Sequence, residues 1–446
     1  LGRARCLASG LRELGVEPGD RVATLLWNQS EHLELYFAVP CMGAVLHTLN
    51  PRLHAHELEY IVRHAADRVL VIDETLLPLL DAVAGVGELE HVVVVSHAAP
   101  APDGTLEYES LIDGRAPLAW PALDERSAAA MCYTSGTTGQ PKGVVYSHRS
   151  SLLHALGAGL PDSLGVAHAD TILPVVPMFH ANAWGLPYAA ALAGAALVFP
   201  GPHLDAESVL ALLAEEQVTM TAGVPTVWLG LLGALDAEPA RWDLTRVRRL
   251  VVGGAAVPES LMRGFDAHGL RVVQAWGMTE TSPLGTVCHP EEATATTDAG
   301  YAYRTRQGVP APLVEIRARG ELDDFIAWDD ESQGELEVRG PWIAAGYHGG
   351  EGTDKFTPDG WFQTGDIVSI DPQGCVRIRD RAKDLVKSGG EWISSVEMEN
   401  LLMAHPAIAE AAVIALPDER WGERPLAVVV FAGDARATDA ELREHL

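Results

Sequence analysis

The chain has 446 residues, which is too long for a single hydrophobic core and predicts two or three domains. With 48% hydrophobic and 21% charged residues, its composition is typical of a globular protein and excludes a disordered or fibrous one. The net charge of −29 argues against broad binding to nucleic acid or to an anionic membrane. A nucleotide can still bind in a local pocket, because salt screens surface charges over about 8 Å.

The sequence shows no sign of secretion or membrane insertion. Its five cysteines have no C-x-x-C spacing and indicate reduced thiols in a cytoplasmic protein: Cys6, Cys41, Cys132, Cys288 and Cys375. The most apolar stretch, 186–200, is broken by Gly and Pro and is shorter than the ~20 residues of a transmembrane helix. We therefore predict no transmembrane segment, which leaves peripheral membrane contact open. The chain begins at Leu1 without a methionine, so we expect its natural start to lie upstream.

From the N-terminus, apolar strands alternate with amphipathic helices, which predicts a mostly parallel sheet covered by helices. Ser30 is the expected N-cap of the second helix. The predicted strands are Val22–Trp27, Val45–Thr48, Val69–Ile72 and His91–Val95. The predicted helices are Leu1–Leu14, Ser30–Met42, His56–His64 and Leu76–Val83.

A second alternating set follows residue 150 and predicts a second sheet of the same kind. Its predicted strands are Thr171–Val176, Ala196–Phe199, Val218–Ala222, Arg249–Val252 and Arg271–Gln274. Its predicted helices lie near 184–194, 205–216, 225–235 and 258–268.

Short strands of alternating polarity then predict a β-rich, barrel-like segment at 300–380: Leu313–Ala318, Gly334–Val338, Asp366–Ile370 and Cys375–Arg379. After it, helices at Ser395–Met403 and from about Asp439 flank strands at Ala411–Ala415 and Leu426–Phe431. The sequence thus predicts an α/β protein with two doubly wound sheets (1–150 and 151–300) and the β-rich subdomain in an N-terminal domain, 1–380. A small, mobile α+β domain would occupy 381–446, with the boundary near Asp380–Lys383.

A glycine-rich loop, Tyr133–Gly143, joins two apolar runs as a hairpin and reads Tyr-Thr-Ser-Gly-Thr-Thr-Gly-Gln-Pro-Lys-Gly. Its glycines let backbone N–H groups converge on phosphate oxygens, while its hydroxyls add donors and Lys142 adds a positive charge. A P-loop would need Ser or Thr after the lysine and then a helix. Because Gly143 and another strand follow instead, the loop is predicted to bind phosphates outside the P-loop class.

Further motifs follow this loop in a fixed order. They are Pro177–Trp184 (PMFHANAW), Ala275–Glu280 (AWGMTE), Gly360–Asp366 (GWFQTGD), Asp380–Asp384 (DRAKD) and Ser388–Trp392 (SGGEW). Together with the loop they resemble the adenylate-forming superfamily of acyl-CoA synthetases, luciferases and nonribosomal-peptide adenylation domains. Within it, the chain most resembles the bacterial fatty-acid CoA ligases.

The resemblance implies a site for ATP and Mg²⁺. Thr134 and Glu280 would hold the metal, since a hydroxyl and a carboxylate suit a hard cation. Asp366 would accept hydrogen bonds from the ribose hydroxyls, whereas alone it would read as a turn aspartate. Trp276 stands where the family usually has Tyr beside the adenine, so an indole N–H replaces a phenol. The remaining residues implied around the nucleotide are Ser135, Gly136, Thr137, Thr138, Gly139, Lys142, Gly253, Gly254, Ala255, Gln274, Ala275, Gly277, Met278, Thr279, Arg381, Lys383, Lys387 and Trp392.

The resemblance also implies an acyl site. On residue type alone, His180 and Trp184 would be core residues; the family pattern instead places them at the acyl chain, with Trp184 as a gate and with Gly253 and Gly277 in the pocket wall. Lys383 would be the hinge of the small domain. The implied catalytic set is Thr134, His180, Glu280 and Lys383.

Lysine usage supports this interpretation without any family knowledge. The chain has 32 Lys and Arg residues together, and only four are lysine: Lys142, Lys355, Lys383 and Lys387. Three of the four lie in the predicted nucleotide motifs. Where Arg serves almost everywhere else, these positions favour a compact ammonium over a planar guanidinium.

The implied activity is that of a fatty acid CoA ligase. A medium- or long-chain carboxylic acid attacks ATP to give an acyl adenylate and pyrophosphate, and the thiol of CoA then takes the acyl group and releases AMP. Two alternatives stay open: adenylation of an aryl or carrier-protein-linked acid, or a non-catalytic nucleotide-binding protein. Phe179–Pro187 has no carboxylate for a substrate ammonium, which favours an apolar acid. Similar ligases are often homodimers, so a homodimer is a further expectation.

The family carries another catalytic lysine near the end of the small domain. No lysine follows Lys387 in this chain. We therefore expect a fragment that lacks both ends, and that binds ATP but forms adenylate poorly.

Overall fold

The computed structural model describes residues 1–134, 140–290, 294–320, 322, 324–388, 391–418, 420–433 and 435–445. The first unit contains seven strands: β1 Arg21–Leu25, β2 Val45–Thr48, β3 Asp67–Asp73, β4 His91–Val95, β5 Leu106–Glu107, β6 Ala128–Tyr133 and β7 Gly143–Ser147. Its helices are α1 Gly2–Glu13, α2 Ser30–Cys41, α3 Ala55–Ala65, α4 Leu80–Val83 and α5 His148–Gly159. The sheet order is β5-β4-β3-β1-β2-β6-β7, and only the β6–β7 hairpin is antiparallel.

The second unit builds a seven-stranded sheet from β8 Thr171–Pro174, β9 Ala196–Leu197, β10 Met220–Gly223, β11 Arg249–Val252, β12 Val272–Gly277, β13 Leu284–Val287 and β14 Val309–Pro310. Its helices are α6 Leu186–Ala193, α7 Ala206–Glu215, α8 Pro225–Ala237, α9 Glu259–Ala267 and α10 Asp298–Arg304. The order is β14-β13-β12-β11-β10-β8-β9. Strand β13 pairs antiparallel with both of its neighbours, β12 and β14. Local sequence sets several ends: Asp205 caps α7 by accepting from Ser208 N at 3.0 Å, and Pro225 begins α8.

Two antiparallel sheets complete the fold. The strands β15 Glu315–Arg319, β16 Gly334–Arg339, β17 Phe362–Ile370 and β18 Val376–Arg381 form one sheet in chain order. The strands β19 Val386–Ser388, β20 Glu391–Ile393, β21 Ile408–Asp418 and β22 Gly422–Phe431 form the other, with α11 Ser395–Met403 and α12 Asp439–His445. Its order is β20-β19-β22-β21.

The α/β class is confirmed, and several local predictions need correction. Gln29, not Ser30, is the N-cap of α2. Pro78 shapes the predicted helix at Leu76–Val83 into a 3₁₀ helix, Glu74–Leu79, followed by the short α4. The segment predicted as β-rich and barrel-like forms the four-stranded antiparallel sheet β15-β16-β17-β18, and Val376 of β18 also bridges to Gly308. Helices α5 and α10 and strands β5, β13, β14, β19 and β20 were not predicted.

One continuous hydrophobic core joins the first three sheets. It includes Leu46 of β2, Met220 of β10, Trp276 of β12 and Val368 of β17, all buried. Because this core spans the sheets, their facing edges are held in a fixed relation. Among the described residues, no helix is both long and apolar enough to cross a membrane.

Candidate active site

An apolar cavity lies at the carboxyl ends of β11 and β12, where ligands bind in open α/β sheets. Its free volume is about 70 Å³, well below the ~300 Å³ of a small-molecule site. It is lined by Leu164, His180, Ala181, Trp184, Val251, Gly253, Gly254, Ala275, Trp276, Gly277, Met278, Thr279, Pro283 and Leu284. Most of these residues belong to the motifs that the sequence analysis selected, although those motifs are far apart in the chain.

Two of the predicted glycines are required by close approaches at this wall. A Cβ on Gly277 would lie 1.5 Å from the carbonyl oxygen of Pro283. A Cβ on Gly253 would lie 2.8 Å from the Ala275 carbonyl oxygen and 3.2 Å from the Trp184 indole. Any side chain at either position would therefore displace the wall or the indole.

The predicted acyl residues His180 and Trp184 are joined by a left-handed turn, Ala181–Trp184. Its four residues have φ values of 43°, 52°, 48° and 56°, and Gly185 follows at 70°. Each L-residue costs about 1–2 kcal/mol in this conformation, so neighbouring groups must hold the turn. His180 is exposed at the mouth of the cavity, and the protein around its ring lowers its pKa below the usual value.

Side chains of the first unit supply that support. Asn28 accepts from Met178 N at 2.6 Å and donates to two backbone carbonyls of the preceding segment at 2.8 and 2.9 Å. Tyr36 Oη donates to the Met178 carbonyl at 2.5 Å. Cys132 Sγ donates to Asn182 Oδ1 at 3.2 Å, inside the turn itself. The acyl side of the cavity is therefore held in place by the sheet that carries the glycine-rich loop.

The hairpin predicted around that loop is present. Tyr133 pairs with Gly143, Thr134 N donates to the Lys142 carbonyl at 3.0 Å, and Lys142 N donates to Thr134 Oγ1 at 3.1 Å. Thr134 and Lys142 are thereby brought side by side at the base of the loop. The predicted phosphate contacts of Ser135, Gly136, Thr137, Thr138 and Gly139 lie outside the described residues.

Glu280 follows β12 in a short 3₁₀ helix and is only 5% exposed. The hydroxyl of Tyr347 donates to its Oε1 at 2.5 Å, and the ring of Tyr347 lies 5.2 Å from Lys142 Nζ. Burial and the charge of Glu280 raise the pKa of Tyr347, so the phenol remains a proton donor. The sequence analysis missed Tyr347, because no local pattern marks a contact across 67 positions.

Asp366 on β17 is almost fully buried at 1% exposure. Trp276 Nε1 donates to its Oδ2 at 3.0 Å, and Arg381 Nε lies 2.7 Å from its Oδ1. Desolvation raises the pKa of Asp366 to about 6 against the lowering effects of Arg381 and Trp276. Three residues predicted around the nucleotide thus meet at one carboxylate.

Not every predicted residue reaches the cavity. Ala255 is exposed and lies outside the cavity lining. Gln274 is buried and faces the other way: its amide, in the orientation that satisfies both ends, donates to the Arg304 carbonyl at 3.1 Å and accepts from Gln307 at 2.9 Å. The alternation of side chains along β12 turns Gln274 into the packing behind the strand, and its role as a nucleotide ligand stays a prediction.

Three further predicted residues, Lys383, Lys387 and Trp392, follow the third sheet in the chain. Lys383 is exposed, and its Nζ lies 4.0 Å from Asp384 Oδ2. Lys387 pairs with Trp392 across β19 and β20. Lys383 is not among the residues that line the cavity, and the roles of all three residues remain predictions.

The described residues fit a magnesium nucleotide. Glu280 offers a buried carboxylate with one oxygen held by Tyr347, and Thr134 offers a hydroxyl beside the loop. In the described ranges, no group of three or more His, Cys, Asp or Glu side chains is placed to hold a metal. The Glu280 carboxylate and the Thr134 hydroxyl suit Mg²⁺, which takes one or two carboxylates and fills its shell with phosphate oxygens and water.

Comparison with known proteins decides the family. Residues 2–348 match the AMP-binding enzyme family, and residues 397–446 match the AMP-binding enzyme C-terminal domain. The chain belongs to the AMP-binding enzyme family. The likeness stated from the motifs is thereby confirmed.

Two curated relatives of this AMP-binding enzyme are fatty-acid CoA ligases. The long-chain-fatty-acid–CoA ligase of Thermus thermophilus is 51% identical over 452 residues, covering 100% of this chain and 82% of that protein. The medium-chain-fatty-acid–CoA ligase of Ectopseudomonas oleovorans is 46% identical over 451 residues, covering 99% and 82%. Among solved structures, ATP-bound MatB from Rhodopseudomonas palustris matches with a TM-score of 0.84 at 29% identity, covering 100% of this chain and 85% of that one.

Proposed function

We propose that this AMP-binding enzyme is an ATP- and Mg²⁺-dependent ligase that joins a medium- or long-chain carboxylic acid to CoA. The observation that carries the proposal is the apolar cavity bounded by the AWGMTE segment, with the Glu280 and Asp366 carboxylates beside it. Among the described residues, its lining includes no carboxylate or ammonium, so it favours an acid whose remainder is apolar. The names of the two ligase relatives support the same substrate class.

In the first step, a carboxylate oxygen bonds to the α-phosphorus of ATP as the bond to pyrophosphate breaks. The carboxylate is already a nucleophile, so the chain must mainly align it and stabilise phosphate charge. Lys142 supplies a cation at the loop, and Asp366 accepts from the ribose hydroxyls. Mg²⁺, held by Glu280 and Thr134, would neutralise charge on the phosphates.

In the second step, the thiol of CoA bonds to the acyl carbon of the mixed anhydride, and AMP leaves. His180, exposed at the mouth, stands where the acyl carbonyl would meet the incoming thiol. Rotation of the small domain about Lys383 would exchange the surfaces that face this mouth.

The test is a product assay with ATP, Mg²⁺ and butanoate, octanoate, palmitate or benzoate, with and without CoA. We expect pyrophosphate release only when an acid is present, AMP and acyl-CoA only when CoA is added, and higher kcat/KM for octanoate or palmitate than for benzoate. A tenfold preference for benzoate would favour the aryl-acid alternative. ATP binding without acid-dependent pyrophosphate release would favour a non-catalytic nucleotide-binding protein.

A further inference from the structure

We propose that Tyr347 is a positioning residue for the phosphates of ATP, through its hydroxyl on Glu280 and its ring beneath Lys142. The inference rests on the proposed nucleotide roles of those two residues and adds a third that none of the motifs contains. The Tyr347 side chain contacts both of them, Glu280 through its hydroxyl and Lys142 through its ring.

The hydroxyl fixes the direction of the carboxylate. Tyr347 Oη donates to Glu280 Oε1 at 2.5 Å, and among the described residues no other hydrogen bond reaches the Glu280 side chain. Oε1 is therefore held in one direction, and we infer that Oε2 is the oxygen that takes the cation. A buried carboxylate with a single fixed oxygen loses little freedom when it takes a metal.

The aromatic ring of Tyr347 positions the ammonium group of Lys142. Lys142 Nζ lies 5.2 Å from the centroid of the Tyr347 ring, within the range of a cation–π contact. Phe356 packs edge-on against that ring at 5.8 Å and limits its movement. Gly352 passes beside the pair with φ of +57°, where a Cβ would lie 2.9 Å from the ring and 3.0 Å from Nζ. The backbone thus leaves room for the ammonium on the ring.

Backbone contacts fix this tyrosine to both partners. Tyr347 forms a β-bridge with Val144, next to the glycine-rich loop. Three residues earlier, Ala344 N donates to the Glu280 carbonyl at 2.7 Å. The segment 344–347 therefore joins the loop hairpin to the residue that follows β12, and the side chain acts from a rigid support.

The experiment measures ATP binding by calorimetry over a series of Mg²⁺ concentrations, in the wild type, Tyr347→Phe and Tyr347→Leu. The Phe variant keeps the ring and removes the hydroxyl, so the Mg²⁺ concentration needed for half-maximal ATP binding should rise about 3–10-fold. Binding of ATP without Mg²⁺ should stay within twofold of the wild type. The Leu variant also loses the aromatic ring that contacts Lys142, so its affinity for metal-free ATP should fall about 3–10-fold.

Tyr108→Phe is the matched control, because Tyr108 Oη donates to a glutamate, Glu34 Oε2, at 2.8 Å on the first unit. It should lower the melting temperature as Tyr347→Phe does and leave the Mg²⁺ dependence unchanged. The inference is overturned if Tyr347→Phe leaves the Mg²⁺ dependence within twofold, or if Tyr108→Phe shifts it equally. If the wild type binds ATP and Tyr347→Phe has the same Mg²⁺ dependence, only the role of Tyr347 is rejected. If the wild type binds no ATP, the proposed function is rejected as well.

Discussion

The surroundings of Asp366 have opposing effects on the pKa of its carboxyl group. Burial favours its neutral form, while the indole N–H of Trp276 and the guanidinium of Arg381 favour its charged form. Desolvation dominates, which puts its pKa at about 6. The group proposed to bind ribose therefore titrates close to neutral pH.

ATP binding should weaken as pH falls through about 6, because a protonated Asp366 can accept fewer hydrogen bonds from ribose. The stability effect has the opposite sign: the raised pKa makes the folded state bind more protons, so this group's contribution to stability falls as pH rises from about 4 to about 6. Calorimetric ATP titrations from pH 5 to 8 check the first effect. Asp366→Asn should bind ATP about 10–100-fold more weakly at pH 8 and lose the pH dependence; a persistent dependence in that variant would assign it to another group.

Trp184→Ala should extend the acyl range toward longer acids. The cavity holds only about 70 Å³ beside this indole, so removing the ring opens space that a long chain otherwise gains by displacing it. We expect the ratio of kcat/KM for palmitate over butanoate to rise about tenfold, equivalent to ~1.4 kcal/mol. Trp328→Ala is the control, since Trp328 is 44% exposed and lies outside the cavity lining. An unchanged ratio in Trp184→Ala would remove the gate from the mechanism.

Among the elements, the turn Ala181–Trp184 departs furthest from its sequence. Ala-Asn-Ala-Trp has no glycine and no proline, and the helix predicted near 184–194 in fact begins at Leu186. The left-handed turn is supported by distant groups: Cys132 bonds Asn182 inside it, and Asn28 bonds the backbone that leads into it. Tertiary contacts here override local preference.

At Asn182, glycine should be more stabilising than alanine, which is the reverse of their order in an ordinary helix. Both Asn182→Ala and Asn182→Gly lose the bond from Cys132, but only Gly is free of strain at φ of 52°. Asn182→Ala should therefore be less stable than Asn182→Gly by about 1 kcal/mol, measured by urea unfolding. In the right-handed helix α6, Ala191→Gly should instead cost about 1 kcal/mol. Equal or inverted stability of the two Asn182 variants would mean that the turn is not left-handed in solution.

At the scale of the whole molecule, the two α/β units are joined by buried polar bonds as well as by apolar packing. Asn28 is 4% exposed and makes three hydrogen bonds to the backbone that leads into the turn. An unsatisfied buried polar group is costly. Such bonds specify one arrangement of the two sheets.

Asn28→Ala should lower the free energy of unfolding by about 2–4 kcal/mol, because it leaves two carbonyls and one amide unpaired in the interior. Urea midpoints measured by tryptophan fluorescence check this. Asn50→Ala removes one turn bond, to Arg52 N at 3.0 Å, and should cost less than about 1 kcal/mol. A similar loss in both variants would argue that Asn28 has no special part in joining the sheets.

The sequence predicted the architecture well where elements are local. Strands such as Val45–Thr48, His91–Val95 and Arg249–Val252 have the predicted bounds, because each is a short apolar run between turn signals. Helix α5 was not predicted because its exposed Leu152 and Leu156 blur the amphipathic pattern. The domain boundary near Asp380–Lys383 stays a prediction.

The site was predicted as far as its motifs reach. Residues in one segment, such as Trp276 and Glu280, were found together, whereas Tyr347 and Asn28 act across long separations that the sequence does not reveal. A motif marks a segment, whereas the alternation of side chains along a strand sends neighbours to opposite faces, so the sequence did not reveal that Gln274 packs behind β12.

The turn at 181–184 has a stereochemical consequence. Because its backbone follows the mirror image of the usual helix, a D-alanine at position 183 would adopt the observed φ of 48° without strain, where the natural L-residue is held against its preference. The turn Ala181–Trp184, two residues of which line the cavity, therefore has a backbone conformation that L-amino acids disfavour. Substitutions that improve ordinary helices should destabilise it, because the surrounding packing and hydrogen bonds hold the L-residues in this conformation.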